Sequence, residues 1–448
     1  MTERSEVHVT VGRPLPEPFG RRRFLTLAGA GAVVVAVAGC RSGSSGSAPR
    51  GSSTTTARAG SSPPSTGPST STVAAAAGAG AAGERILVLV QLNGGNDGLN
   101  TLVPADGRYR DARPSLAVPE EELVALPGES GYSLHPSLAP LVPIWQANRL
   151  SFVESIGFPD PDRSHFVAMD TWWRAGDLTA PTGWLGRVLD HLPADPDPLY
   201  ATALAAGAPL LLGTRRQPTV VLRPASFDFA KGIRPELLAR LADPLAEDPL
   251  VAAAQGATAR AVDAVKAFGD LADPAPAGAV DAGDTDPPAR EGGASLADGL
   301  ATAAQIVTGD VGARIVVVSA SGFDTHANQA ATQTALLADL AEGLTAFTAA
   351  IDSAGMGDRV LVATTSEFGR RVQENGSGGT DHGKAGVSLL LGPVRPGIQG
   401  ALDLGDLQDG DVRPAVDRRV LYTAALDWLG ADPVEILGRR YDDVALLA

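Results

Sequence analysis

The chain has 448 residues, with 36 Lys and Arg against 51 Asp and Glu and a formal net charge of −15 at pH 7. Its 44% hydrophobic content is enough for a large core and excludes wholesale disorder, and the acidic balance excludes the basic footprint of a nucleic-acid binder. A single cysteine, Cys40, excludes an intrachain disulfide and a Cys-ligated zinc or iron–sulfur centre.

Residues 1–39 read as an export signal. Arg21-Arg22-Arg23 precede an apolar run from Leu25 to Ala38 that ends in small residues. As a helix that run spans roughly 21 Å, short of the roughly 30 Å hydrocarbon core of a bilayer. The paired arginines before Phe24-Leu25 resemble a twin-arginine signal, and Ala38-Gly39-Cys40 resembles a bacterial lipoprotein cleavage box. The expectation is an extracytoplasmic protein anchored to the cell membrane by a lipid on Cys40; a cleaved signal with an incidental cysteine is the alternative. Residues 40–83 are mostly Ser, Thr, Gly, Pro and Ala, with almost no large apolar residue; they bury too little surface to offset their ordering entropy and read as a flexible tether. Gly78, Gly80 and Gly83 match dinucleotide-binding spacing but precede a strand instead of following one, so that reading is rejected.

Residues 84–448 read as one α/β domain. Ile86–Val90 is an unbroken apolar run of the kind found in strands covered on both faces. Similar runs lie at 150–156, 220–222, 315–318, 360–363 and 387–391. Between them fall helical patterns, the best being Gln329–Ser353, with Leu336, Leu340, Leu344, Phe347 and Ile351 on one stripe. The alternation predicts a doubly wound, mostly parallel sheet with helices on both faces. An insertion rich in Pro, Gly and acidic residues at about 269–296 interrupts it and is expected to be exposed.

In such sheets, sites form at the carboxyl ends of the strands. Polar clusters follow there at Gln91–Thr101, Asp160–Phe166, Ser319–Gln329, Thr364–Arg370 and Gly378–Lys384. Three of the five histidines beyond the leader, His165, His326 and His382, fall in these clusters near carboxylates, whereas His135 and His191 read as structural. Asp and His without Cys suit Zn or Mn, and the oxygen donors leave Mg open. A two-metal centre would clamp the attacking and leaving oxygens of a displacement at phosphorus or sulfur, and Arg163, Arg370 or Lys384 would then hold the non-bridging oxygens of an anionic ester. Each cluster alone also has an ordinary reading: Asp324-Thr325-His326 as a surface pair, Glu367 as a partner of Arg370, Asp381-His382 and Asn96-Asp97-Gly98 as turns. Recurrence after separate strands is what favours a joint site.

At these clusters the sequence resembles the secreted bacterial family catalogued as domain of unknown function 1501, of the alkaline phosphatase-like superfamily that includes sulfatases. The matching pieces are Gly94–Thr101, Arg163-Ser164-His165-Phe166, Gly322–His326, Ser366–Arg370 and Gly379–Gly383, with a tail like Asp427-Trp428-Leu429-Gly430. The resemblance implies an alkaline phosphatase-like fold and a metal set drawn from Asp97 (Asn100 competing), Asp324, His326, Glu367, Asp381 and His382. It implies Ser164 as nucleophile, with Thr101 as the alternative, and His165 as ligand or acid/base partner. Arg370 joins the catalytic groups, and Arg163 and Lys384 the substrate. Glu367-Phe368 stands where phosphatases and sulfatases carry Asp-His, a departure that bears on the ligand count. No Cys-x-Pro-x-Arg signature is present. Three functions follow as expectations: an exported metal-dependent hydrolase of phosphate or sulfate esters, a non-catalytic surface protein that keeps the scaffold to bind a polymer or another exported protein, or a metal-stabilised structural module.

Overall fold

A computed structural model describes residues 84–204, 208–221, 238, 249–271 and 295–448. The leader 1–39, Cys40, the tether 40–83 and the 272–294 part of the insertion lie outside the described residues.

Among the described residues the main sheet has nine strands: β1 (Ile86–Asn93), β2 (Leu150–Gly157), β3 (Ala201–Leu204), β4 (Thr219–Val221), β5 (Ile315–Ser321), β6 (Val360–Thr365), β7 (Gly386–Leu391), β8 (Gly397–Gln399) and β9 (Val416–Asp417). Eight run in the order β8-β2-β7-β6-β1-β5-β3-β4, and β9 pairs with β2. The most apolar run, β1, is central, paired in parallel with β5 and β6. Its side chains alternate between two cores: Ile86, Val88, Val90 and Leu92 enter one, Leu87 and Leu89 the other. That alternation explains the absence of polar residues in the run, because both faces are covered.

On the first face lie Pro249–Leu271, Leu296–Thr308 and Gln329–Ser353; Leu337, Leu340, Leu344, Phe347 and Ile351 of the last form its buried stripe. Leu337 takes the inner place expected of Leu336, which packs at the margin of the core. On the second face lie α1 (His165–Trp173), α2 (Trp184–His191) and α3 (Arg419–Leu429), where Trp184 stacks on Tyr422 with ring centroids 4.7 Å apart. Each such fully buried apolar side chain contributes about 2 kcal/mol.

One strand departs from the parallel expectation. β7 runs antiparallel to both β6 and β2. A parallel return needs a crossover, usually helical; the segment from Ser366 to Ala385 contains no helix, so the chain comes straight back. This reversal puts β2 in the same direction as β6. The carboxyl ends of β1, β2, β5 and β6 and the start of β7 therefore share one rim. All five polar clusters emerge there.

Candidate metal centre

Two tight approaches draw the rim loops together. Gly94, with φ +121°, leaves β1 against Phe323–Asp324, where a Cβ would lie 2.2 Å from the Asp324 nitrogen. Gly379 brings its loop against His326, where a Cβ would lie 2.3 Å from the carbonyl carbon. Only glycine permits either approach.

His165, Asp324 and His382 meet at this junction, one donor atom of each lying within 4.8 Å of the others. Three loops supply them, after β2, after β5 and before β7. Asp324 Oδ1 lies 3.0 Å from His382 Nε2 and 3.0 Å from His326 Nε2, and the two Nε2 atoms are 2.9 Å apart. Asp324 Oδ2 lies 3.4 Å from His165 Nε2, a buried nitrogen with no hydrogen-bond partner among the described residues. Phe368 packs against the His165 and His382 rings, with centroids 5.0 and 4.5 Å away, and so walls the group on one side.

The opposite nitrogen of each ring is held. His382 Nδ1 lies 2.8 Å from the Arg163 carbonyl oxygen. A carbonyl only accepts, so that nitrogen carries the proton. His165 Nδ1 meets Glu367 Oε1 at 2.8 Å, and the same oxygen accepts from the Gly94 N–H at 2.8 Å. His326 Nδ1 meets Asp381 Oδ1 at 3.2 Å. A neutral ring held this way carries its proton on Nδ1 and turns an Nε2 lone pair toward the Asp324 carboxylate. Lone pairs that converge in this way require positive charge between them, either protons or a cation. Partial burial pushes the Asp324 carboxyl up, but the hydrogen bond and the charge of the Arg370 guanidinium foremost outweigh it and hold the group down at about 2. Asp381 is also held low, chiefly by its hydrogen bond from Asn375. The donor set of imidazole nitrogen and carboxylate oxygen fits a divalent metal ion.

Several expected site residues take other places. Arg370, expected among the catalytic groups, has a fully buried side chain. It donates to the carbonyls of Gly95 (2.8 Å), Thr380 (2.9 Å), Phe323 (2.9 Å) and Gly94, and to Asp324 Oδ1 (2.7 Å). With its donors engaged it ties three loops together and touches no solvent. Asp97, expected as a ligand, is instead the buried counter-ion of Arg113 at 2.6 Å, and it also accepts from Gln329. Arg113 binds Asn100 Oδ1 at 2.6 Å as well, which removes the competitor from the rim. Thr101 is buried and its hydroxyl donates to the Asp97 carbonyl at 2.7 Å, so it offers no free nucleophile. Ser164 is exposed at the start of α1, directly before His165, and its side chain makes no capping bond. Arg163 pairs with Asp411, and Lys384 with Asp409 at 2.9 Å. His135 accepts from the Ser137 N–H at 3.2 Å, the structural part expected of it.

A family model described as protein of unknown function (DUF1501) matches residues 135–443. Among solved structures the chain is similar to the lipoteichoic acid synthase LtaP from Listeria monocytogenes (10% identity, 79% of this chain and 74% of that chain covered, TM-score 0.34). It is similar to a protein in the alkaline phosphatase superfamily from Vibrio parahaemolyticus (8% identity, 80% and 70% covered, TM-score 0.36). The alkaline phosphatase from the Antarctic bacterium TAB5 is a third (11% identity, 78% and 99% covered, TM-score 0.33). Likenesses this shallow say nothing about activity. No curated protein matches.

Proposed function

The chain belongs to the DUF1501 family, and for this member we propose an exported, lipid-anchored, metal-dependent hydrolase of phosphate or sulfate esters. One observation carries the reading: three Nε2 atoms converge on the Asp324 carboxylate while every Nδ1 is held from outside. Orienting contacts of this kind accompany metal-ligating histidines. His165, Asp324 and His382, with His326 beside them, would hold Zn or Mn, Mg being the oxygen-preferring alternative. When bound, a divalent ion supplies Lewis-acid charge against the oxygens of an anionic ester. Glu367, Asp381 and the Arg163 carbonyl aim the rings. Arg370 fixes the loops and keeps Asp324 ionised. Ser164, exposed and directly before His165, would supply the attacking hydroxyl. Arg21-Arg22 and the Ala38-Gly39-Cys40 box support export and anchoring.

A second reading, a scaffold that binds an exported partner without catalysis, is favoured by the engagement of Arg370 and Asp97 in internal pairs. The two separate on one preparation. Bound metal is measured by elemental analysis, and turnover is measured on an aryl phosphate, a diester and an aryl sulfate. The hydrolase reading expects metal and turnover together, both lost in D324A/H382A. Turnover that survives the double variant overturns it, and metal without turnover selects the scaffold.

A further inference from the structure

Beside the candidate metal group three cations close on one hairpin tip. Arg163 holds His382 through its carbonyl; the Arg371 N–H donates to the Asp381 carbonyl at 3.0 Å; Lys384 follows His382 by two residues. The tip joins the short strands Leu407–Gln408 and Asp411–Val412 through Asp409 and Gly410, with φ of 57° and 82°. Both residues are left-handed, as a tight two-residue hairpin requires.

The two tip carboxylates differ in kind. Asp411 is fully buried between Arg163 and Arg371 (Nε at 3.3 Å) and belongs to the framework. The Asp409 side chain is 76% exposed, yet its Oδ2 lies 2.9 Å from Nζ of Lys384, whose side chain is 9% exposed. Among the described residues no other side chain accepts from that ammonium. A nearly buried cation needs a counter-ion, and this one is an exposed side chain that can rotate into solvent while the Asp409 carbonyl still accepts from Arg371 at 2.6 Å. Departure of Asp409 leaves the Lys384 ammonium without a carboxylate in hydrogen-bond reach among the described residues.

We propose that Arg163, Arg371 and Lys384 form an anion subsite beside the metal group, that Asp409 occupies it until a ligand displaces it, and that the ester hydrolysed there carries a second anionic group, phosphate, sulfate or carboxylate, apart from the bond that is cut. The substrate clause rests on the hydrolase reading; the subsite does not.

The test begins with the chelator-treated full chain, titrated with sulfate and with pyrophosphate by calorimetry. Asparagine tolerates the left-handed conformation, so D409N keeps the turn while removing the competing charge. It should bind both anions about fivefold more tightly than the parent, and D409N/K384M should lose that gain. Equal affinity of D409N and parent, or an unchanged gain in the double variant, overturns the subsite. The metal-loaded protein then receives two aryl phosphate esters, one bearing a sulfonate on the ring and one without. K384M should raise KM for the sulfonated ester alone; an equal rise for both overturns the second-anion clause. If D409N gains affinity while the loaded protein hydrolyses neither ester, the subsite stands and the hydrolase reading falls, taking the substrate clause with it.

Discussion

His326 and His382 face each other nitrogen to nitrogen, Nε2 to Nε2 at 2.9 Å, with Asp324 Oδ1 3.0 Å from each. Because the Arg163 carbonyl obliges His382 to donate from Nδ1, neutral rings would present two lone pairs to one another and to a carboxylate. A shared cation resolves that repulsion. We expect H382A to abolish stoichiometric zinc or manganese binding. E367A leaves every ligand in place but frees His165 Nδ1, and should weaken metal affinity by about 10- to 100-fold. Competition with a chromogenic chelator measures both. Unchanged affinity in H382A removes the metal centre.

Asp97 provides the contrasting case. Its carboxylate pairs with the buried guanidinium of Arg113 at 2.6 Å and stands outside the histidine group. D97N leaves that guanidinium without its counter-ion, and the loss should be about 3 kcal/mol of stability. Metal affinity should stay within about twofold of the parent, since no ligand changes. Urea unfolding checks the first number and the same chelator competition the second. A stable D97N that no longer binds metal would return Asp97 to the ligand set.

How much of this was legible in the sequence depends on whether the signal is local. The unbroken run Ile86–Val90 announces a central strand because both of its faces are buried. Asp324, His326 and His382 were visible as metal-type residues at strand ends. The partners of Asp97 were not: Arg113 and Gln329 lie 16 and 232 residues away, and neither carries a pattern that marks a buried contact. The place of Arg370 is not legible in the sequence for a related reason. A guanidinium next to a loop has the same chemistry whether it faces substrate or four backbone carbonyls, and only packing decides. The reversal of β7 is readable in retrospect, from a connection without helical pattern between Thr365 and Gly386. The Asp409–Gly410 turn has a local signature, Asp-Gly before a short strand.

Anchoring makes its own prediction. If Cys40 carries the lipid, C40S should move the exported protein from the membrane fraction to the soluble one without changing the folded body, which begins at least forty residues later in the described structure. Fractionation followed by immunoblotting reads this directly. Retention of C40S in the membrane fraction would assign the leader, and not a lipid, to the attachment. Replacement of Arg21 and Arg22 by lysine should separately block export.

A last prediction concerns stability and uses a group remote from the candidate chemistry. Glu154 of β2 is buried; its Oε1 accepts from the Ser155 N–H at 2.9 Å, while Oε2 has no partner among the described residues. Burial disfavours its charged form and raises its pKa from 4.5 to about 7. Between those two values the folded chain keeps a proton that the unfolded chain has released, so stability falls as pH rises through this window. The contribution is fully present below about pH 4.5 and gone above about pH 7, a swing on the order of 3 kcal/mol. E154Q carries no proton to lose. Other groups titrate in both proteins, so the informative quantity is the difference between parent and variant in urea unfolding. E154Q should gain on the parent between pH 5 and pH 8. Parallel curves across that range would mean that Glu154 does not hold its proton in the fold.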